Sequence, residues 1–219
     1  MTDVSLHRKP FKRLLYPTAH CTWLKPGVMR YCIVNRQGRS IVLIGMMGAG
    51  KSSVGRCLHR RTGRALHDTD EIVVMNFGMS ISEIFPKFGE QRFRQAETEA
   101  LRSLPTTKQA IIVTGGGIVL RNENAEIVKR LGVIVWLDGD EETLFARAFR
   151  KRNRPLLQTK NPRKTFSQIL DARRPLYANI ADVRVDTSVL TDEELAVAIL
   201  AKVTRMNPKP ESPIPATAS

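Results

Sequence analysis

The sequence predicts an α/β domain of three layers (α/β/α), with helices on both faces of a central parallel sheet of about five strands. Two observations carry that expectation. Short runs such as Ala110 to Thr114 and Val133 to Leu137 are continuously apolar and of strand length, the pattern of strands buried on both faces. These runs alternate with segments of helical composition, and strands that alternate with helices pair in parallel through right-handed crossovers.

The elements follow in order. Ser40 to Ile44 is a β-branched run that reads as the first strand. Lys51 to Thr62 reads as a helix that Gly63 stops. A second strand is expected just before Asp68-Thr69-Asp70. Ile72 to Phe77, Ile81 to Phe88 and Glu90 to Leu104 are helical pieces separated by Gly78 and Gly89. After the two apolar strands come helices over Glu141 to Phe149, Thr165 to Tyr177 and Asp192 to Val203, with a last strand at Val183 to Asp186. There is no internal repeat. The expected domain spans residues 39–204. Residues 1–38 form a basic extension without clean periodicity, expected to be poorly ordered, and 205–219 hold Pro208, Pro210, Pro213 and Pro215 and read as a disordered tail.

Length and composition narrow the function classes. The 219 residues are 42% hydrophobic and 26% charged, ordinary globular values that exclude wholesale disorder, collagen-like repeats and a coiled-coil rod. The greasiest stretch, Ile41 to Met47, is far shorter than the ~18 residues a membrane span needs. Cys21, Cys32 and Cys57 form no close pair and are expected to be small hydrophobes in a reducing compartment. The net charge is +14. Residues 1–40 carry Arg8, Lys9, Lys12, Arg13, Lys25, Arg30, Arg36 and Arg39 against Asp3 alone, which is half of that excess. A second acid-free cluster runs from Arg147 to Lys164 and calls for an anionic partner or a solvated surface. The leader has no secretory h-region and is not serine-rich; it is an organelle transit peptide or an extended start, with Met29 as the alternative first residue.

The strongest motif is Gly45-Met46-Met47-Gly48-Ala49-Gly50-Lys51-Ser52, which fits G-x-x-x-x-G-K-S directly after a strand and directly before a helix. Its glycines let backbone N–H groups close around a phosphate, and the helix N-terminus adds partial positive charge. Gly48, Ala49, Gly50, Lys51, Ser52 and the following Ser53 are the expected nucleotide contacts. Lys51 would reach the β- and γ-phosphates and the Ser52 hydroxyl would ligate Mg²⁺. In Asp68-Thr69-Asp70, two carboxylates on an extended segment would share one side of the sheet edge. One would join the Mg²⁺ shell and the other would take a substrate hydroxyl, unless Asp70 merely caps the next helix.

Three further pieces sit in the same half of the chain or beyond it. Arg94 and Glu97, three apart on a helix, form either a surface ion pair or a carboxylate fork held in place by Glu97. Gly115-Gly116-Gly117 puts bare backbone at a strand's carboxyl end, which suits close approach to a ligand. Arg154-Pro155-Leu156-Leu157 lies in the acid-free loop, either a solvated basic segment or a lid that brings Arg154 onto a transferring phosphoryl group. Only Phe149 and Phe166 flank that loop, a thin supply for base stacking, although the charge alone keeps a nucleic-acid binder as a rival reading.

Taken together, in this order and with Arg173-Arg174-Pro175-Leu176-Tyr177, these motifs resemble the shikimate kinase family over about Arg39 to Leu200. The resemblance implies a P-loop kinase fold with a mobile lid at about 150–164. It also implies transfer of the γ-phosphoryl of ATP to the 3-hydroxyl of shikimate, toward aromatic amino acids. It implies that Asp70, Arg94, Arg173 and the backbone of Gly115, Gly116 and Gly117 hold shikimate, with both arginines on its carboxylate. Lys51 and Arg154 would face the phosphates, Ser52 and Asp68 the Mg²⁺, and Arg147 the adenine. Lys51, Asp70 and Arg154 are then the catalytic set, Asp70 acting as base or only orienting the hydroxyl. The expected partners are shikimate and ATP, with no nucleic acid and no membrane, in a cytoplasmic monomer; a cleaved leader would place it in an organelle. A gluconate or nucleoside monophosphate kinase is the rival of similar size, less suited by the arginine pair and the glycine triplet.

Overall fold

The structure is a computed structural model that describes residues 39–105, 109–150 and 154–206. The expectations for residues 1–38, for 207–219, and for Cys21 and Cys32 lie outside the described residues. Five strands, β1 (Ser40–Ile44), β2 (Ala65–Asp68), β3 (Ala110–Val113), β4 (Gly132–Asp138) and β5 (Val183–Asp186), form one parallel sheet in the order β2-β3-β1-β4-β5. Val42 of β1 stands beside Ile112 of β3 on one side and Ile134 of β4 on the other. The three central strands are buried along their whole length, as their apolar runs require, whereas edge strand β5 alternates buried and exposed residues.

Among the described residues seven α-helices flank the sheet: α1 (Lys51–Thr62), α2 (Thr69–Phe77), α3 (Ile81–Arg102), α4 (Asn122–Leu131), α5 (Glu141–Phe149), α6 (Pro162–Ile180) and α7 (Asp192–Met206). Helix α1 ends where expected, with the Gly63 N–H closing on the His59 carbonyl. Helix α6 begins three residues before the expected start, because Asn161 caps it through the Lys164 N–H and Pro162 fills the first position. It also runs on to Ile180. Helix α7 continues through Arg205 and Met206, past the expected domain end. Helix α4, whose buried face is only Asn124, Val128 and Leu131, was not expected from the apolar pattern.

Two expectations about the Asp68 to Asp70 segment are corrected. The chain turns into α2 at Thr69, so the two carboxylates do not share an extended strand. Asp68, not Asp70, is the cap: its Oδ1 accepts the Asp70 N–H at 3.0 Å. A backbone break at Gly89 inside α3 is as expected. With φ 77° and ψ 165°, it occupies a region essentially closed to other residues, and splits α3 into two helices.

The main core lies between the sheet and its helices, with Cys57 buried in it and free. A smaller cluster, Val73, Ile84, Phe93, Ala96 and Ala100, packs α2 against both halves of α3. The order β2-β3-β1 matters most for chemistry. It brings the carboxyl ends of those three strands side by side, and with them Asp68, the triple glycine and the Gly45 to Ser52 loop. Among the described residues no helix is long and apolar enough to cross a membrane.

Candidate active site

A cavity of about 430 Å³ opens at that edge of the sheet. Gly48, Gly50, Lys51, Ser52 and Ser53 line one wall, and Arg147 with Thr191 and Asp192 line another. Ala49 is buried and its amide donates to the Met46 carbonyl in a turn, so of the expected nucleotide contacts it alone does not line the cavity. Lys51 Nζ donates to the carbonyls of Gly45 and Met46 at 2.8 and 3.0 Å, curled over its own loop. Burial pushes its pKa down to about 8, with Arg154 and Arg173 adding to the fall and Asp70 and Asp68 opposing it. The Ser52 hydroxyl donates to Asp68 Oδ2 at 3.1 Å, a hydroxyl and carboxylate poised together beside the lysine. Arg147 Nη1 is anchored on the Thr187 carbonyl at 2.9 Å, past the end of β5.

A second cavity adjoins the first. Arg94, Glu97, Arg173 and the three glycines line it, with Ile81, Phe85 and Phe93 of α3 as its apolar side. Met47, Asp70, Gly116 and Arg154 line both cavities. The structure therefore gathers every predicted substrate contact in one place and sets Asp70 and Arg154 where the two meet. Arg154, like Arg173, has no carboxylate within ion-pair distance among the described residues.

The two arginines of the second cavity, Arg94 and Arg173, differ sharply. Arg94 is bracketed: Nε and Nη2 donate to Glu90 Oε1 at 3.1 and 2.8 Å, and Nη1 donates to Glu97 Oε2 at 2.7 Å. The surface-pair alternative is thereby excluded, since Glu97 is fully buried. Burial pushes the Glu97 acid up to about 7; the guanidinium of Arg94 opposes that rise and the charge of Asp70 adds to it. Arg173, buried as well, donates to the Gly116 carbonyl at 3.1 Å and meets no acid. A buried cation without a counter-charge is costly unless an anion arrives to pair with it.

The glycines are there for space. A Cβ on Gly117 would stand 2.0 Å from Arg94 Nη1, and one on Gly115 would stand 2.5 Å from Glu97 Oε1 and 2.6 Å from Asp70 Oδ1. Those two oxygens are buried without a hydrogen-bond partner. Burial pushes Asp70 up to about 6, the nearby charge of Asp68 adding to it and Lys51, Arg154 and Arg94 opposing it. Asp70 is thus ionised at neutral pH yet closer to a proton's own affinity range than an ordinary carboxylate, a suitable acceptor for a hydroxyl proton.

Several lining residues carried no sequence expectation. Leu190, Thr191 and Asp192, which follow β5 at the sheet's edge, line the first cavity. Their position just past a strand's carboxyl end was the available signal.

Known proteins are similar to this chain over most of its length. The family model for shikimate kinase matches residues 47–204. The shikimate kinase of Thermodesulfovibrio yellowstonii is 44% identical over 169 residues, 77% of this chain and 97% of that protein. That of Geobacter sulfurreducens is 40% identical over 76% of this chain and 91% of its own length. Among solved structures, the shikimate kinase of Acinetobacter baumannii in complex with shikimate superposes with a TM-score of 0.75 at 37% identity, covering 78% of this chain and 96% of that one. The Aquifex aeolicus enzyme gives 0.67 at 34%, covering 77% and 97%.

Proposed function

The chain belongs to the shikimate kinase family, and from that premise we propose how its own residues phosphorylate shikimate, a step of aromatic amino acid biosynthesis, at the 3-hydroxyl. ATP is the co-substrate of that kinase chemistry. The observation that carries the assignment of roles is the junction of the two cavities. A phosphate cradle and an acid-binding pocket with an uncompensated arginine share Asp70 and Arg154 at their common wall.

In this reading the shikimate carboxylate pairs with Arg173 and Arg94. The apolar side of Ile81, Phe85 and Phe93 covers the carbon ring, and the backbone of Gly115 to Gly117 takes its hydroxyls. Asp70 accepts the hydrogen of the 3-hydroxyl. The O–H bond breaks as that oxygen forms its bond to the γ-phosphorus, and the β,γ-bridging oxygen leaves with ADP. Lys51 exchanges its two carbonyl partners for phosphate oxygens, and Arg154 neutralises charge from the acceptor side. Arg147 lies against the adenine. The protein's contribution is positioning and charge neutralisation, since phosphoryl transfer leaves little covalent work to side chains.

The Ser52 hydroxyl and Asp68 carboxylate, already hydrogen-bonded, are oxygen donors of the kind Mg²⁺ takes from a protein while keeping waters and phosphate oxygens for the rest. Bound there, Mg²⁺ would neutralise the charge that develops on the β- and γ-phosphates. Every group named comes from one chain, so a monomer suffices. The test is ADP release with Mg²⁺ and ATP, comparing shikimate with gluconate, nucleoside monophosphates and DNA. Stimulation by shikimate alone is expected; stimulation by another acceptor and not by shikimate would overturn the assignment.

A further inference from the structure

We propose that Tyr177 is a positioning residue for the acceptor: its hydroxyl, through the Gly116 carbonyl it shares with Arg173, sets where Arg173 and the glycine loop stand against the P-loop. The inference rests on the shikimate reading above and adds to it a residue that touches no reactant.

Tyr177 is wholly buried on α6, its ring against Trp136 of β4 at 6.0 Å between centroids. An aromatic residue in that place needs no function, and a buried phenol takes whatever acceptor it finds. The acceptor it finds is what distinguishes this one. Its O–H donates to the Gly116 oxygen at 2.5 Å, and Arg173 Nη1 donates to the same oxygen at 3.1 Å. Arg173 and Tyr177 are four apart on one helix face, so one turn of α6 fills both lone pairs of a single carbonyl. Burial pushes the phenol up to about 12, which keeps it a donor throughout the working pH range.

Gly116 also stands directly against the Gly45 to Ser52 loop. A Cβ placed there would lie 3.4 Å from the Gly45 carbonyl oxygen and from the Met47 amide nitrogen. Three parts of the site therefore meet at one peptide: the helix that carries the uncompensated arginine, the loop that receives the acceptor, and the loop that receives the phosphates. Without the Tyr177 hydroxyl, one lone pair of that carbonyl is empty. The Arg173 guanidinium is then drawn further onto it, away from the acid it must pair with.

The experiment is initial-rate ADP release by wild type, Tyr177→Phe, Arg173→Lys and the double variant, varying shikimate at saturating ATP and ATP at saturating shikimate, with Tm measured on each. Tyr177→Phe keeps the ring and its packing and removes one oxygen. The expected result is a rise of about three- to tenfold in KM for shikimate, the size of one net hydrogen bond. The KM for ATP and kcat stay within about twofold, because a contact made equally in ground and transition states alters KM alone. The double variant should lose less than the product of the two single losses, since both act on one carbonyl. An unchanged KM for shikimate overturns the proposal. So does a parallel rise in both KM values with a fall in Tm, or a Tyr177→Phe chain that fails to fold, because each marks a packing role only. Additive losses in the double variant overturn it as well. A wild-type enzyme inert to shikimate would instead overturn the family assignment, and this inference with it.

Discussion

Arg173→Met and Arg94→Met should damage catalysis alike, but only the second should lower stability. Methionine keeps an unbranched stem and removes the guanidinium. Removing one partner of a buried, hydrogen-bonded charge pair costs about 2 to 5 kcal/mol, which at about 1.4 kcal/mol per tenfold is a loss of roughly thirty- to several-thousand-fold in kcat/KM for shikimate. Both variants should fall in that range. The fold answers differently. Among the described residues Arg173 has no carboxylate within ion-pair distance, and Glu97 acts on it only through space, so its removal takes away a buried charge that is weakly compensated in the ligand-free enzyme, and Tm should hold. Arg94 is the counter-charge of the fully buried Glu97, and breaking such a pair costs about 3 to 5 kcal/mol. Because the Glu97 acid already sits at about 7, uptake of a proton offsets part of that cost, and the low end, about 3 kcal/mol, is expected. For a domain of this size, at about 2 to 4 °C per kcal/mol, Tm should fall by about 6 to 12 °C. Coupled ADP release and calorimetry on the ligand-free variants read the two quantities. A loss below threefold for Arg173→Met, or the same fall in Tm for both variants, would refute the reasoning.

Other outcomes follow from the same geometry. For the free enzyme, kcat/KM should fall as pH drops through about 6, where Asp70 takes up a proton, and fall again as pH rises through about 8, where Lys51 loses one; a flat profile over that span contradicts both roles. Asp70 and Glu97 are both raised above their unfolded values, so the stability they contribute is full below the ordinary carboxylate range near 4 and is lost as pH rises through about 6 to 7. The Tm of the ligand-free enzyme should therefore decline across that window, and Glu97→Gln should flatten the decline; a Tm that climbs with pH in wild type would count against it. Chelating divalent cations should abolish ADP release and Mg²⁺ should restore it. Ser52→Ala should raise the Mg²⁺ concentration for half-maximal rate by about tenfold or more, and an unchanged requirement would remove Ser52 from the metal site. Gly117→Ala drives a methyl into the Arg94 guanidinium, an overpacking of about 1 to 3 kcal/mol, and should raise KM for shikimate roughly five- to hundredfold with KM for ATP unchanged, as shikimate and ATP titrations would show.

Much of this site is local in sequence and legible there. The phosphate cradle needs only a strand, eight consecutive residues and a helix, and Gly45 to Ser52 supplies them in one stretch. The strand set was readable for a similar reason: β1, β3 and β4 are buried on both faces, so their apolar runs have no polar interruption. Helix α4 escaped because it buries one short face with a polar Asn124 in it, and the Asp68 to Asp70 turn was misjudged because a cap two residues earlier starts α2 sooner.

What tertiary structure alone decided is which of these charges are buried and which are left without an acid beside them. Arg94 and Arg173 look alike as two arginines in two motifs, 79 positions apart. The acids on Arg94, Glu90 and Glu97, stand within a turn of it on α3 and are legible as spacing, but only tertiary packing buries Glu97, and only the seating of α6 on Gly116 leaves Arg173 on a carbonyl that Tyr177 also holds. The strand order, β2 and β3 on one side of β1, is likewise invisible in a linear reading, yet it alone brings Asp70 and the triple glycine to the phosphate cradle. Residue types and local spacing determine which chemistry the chain can hold. Burial and long-range pairing determine which of those charges remain open to a substrate, because a charge's worth depends on what surrounds it in space.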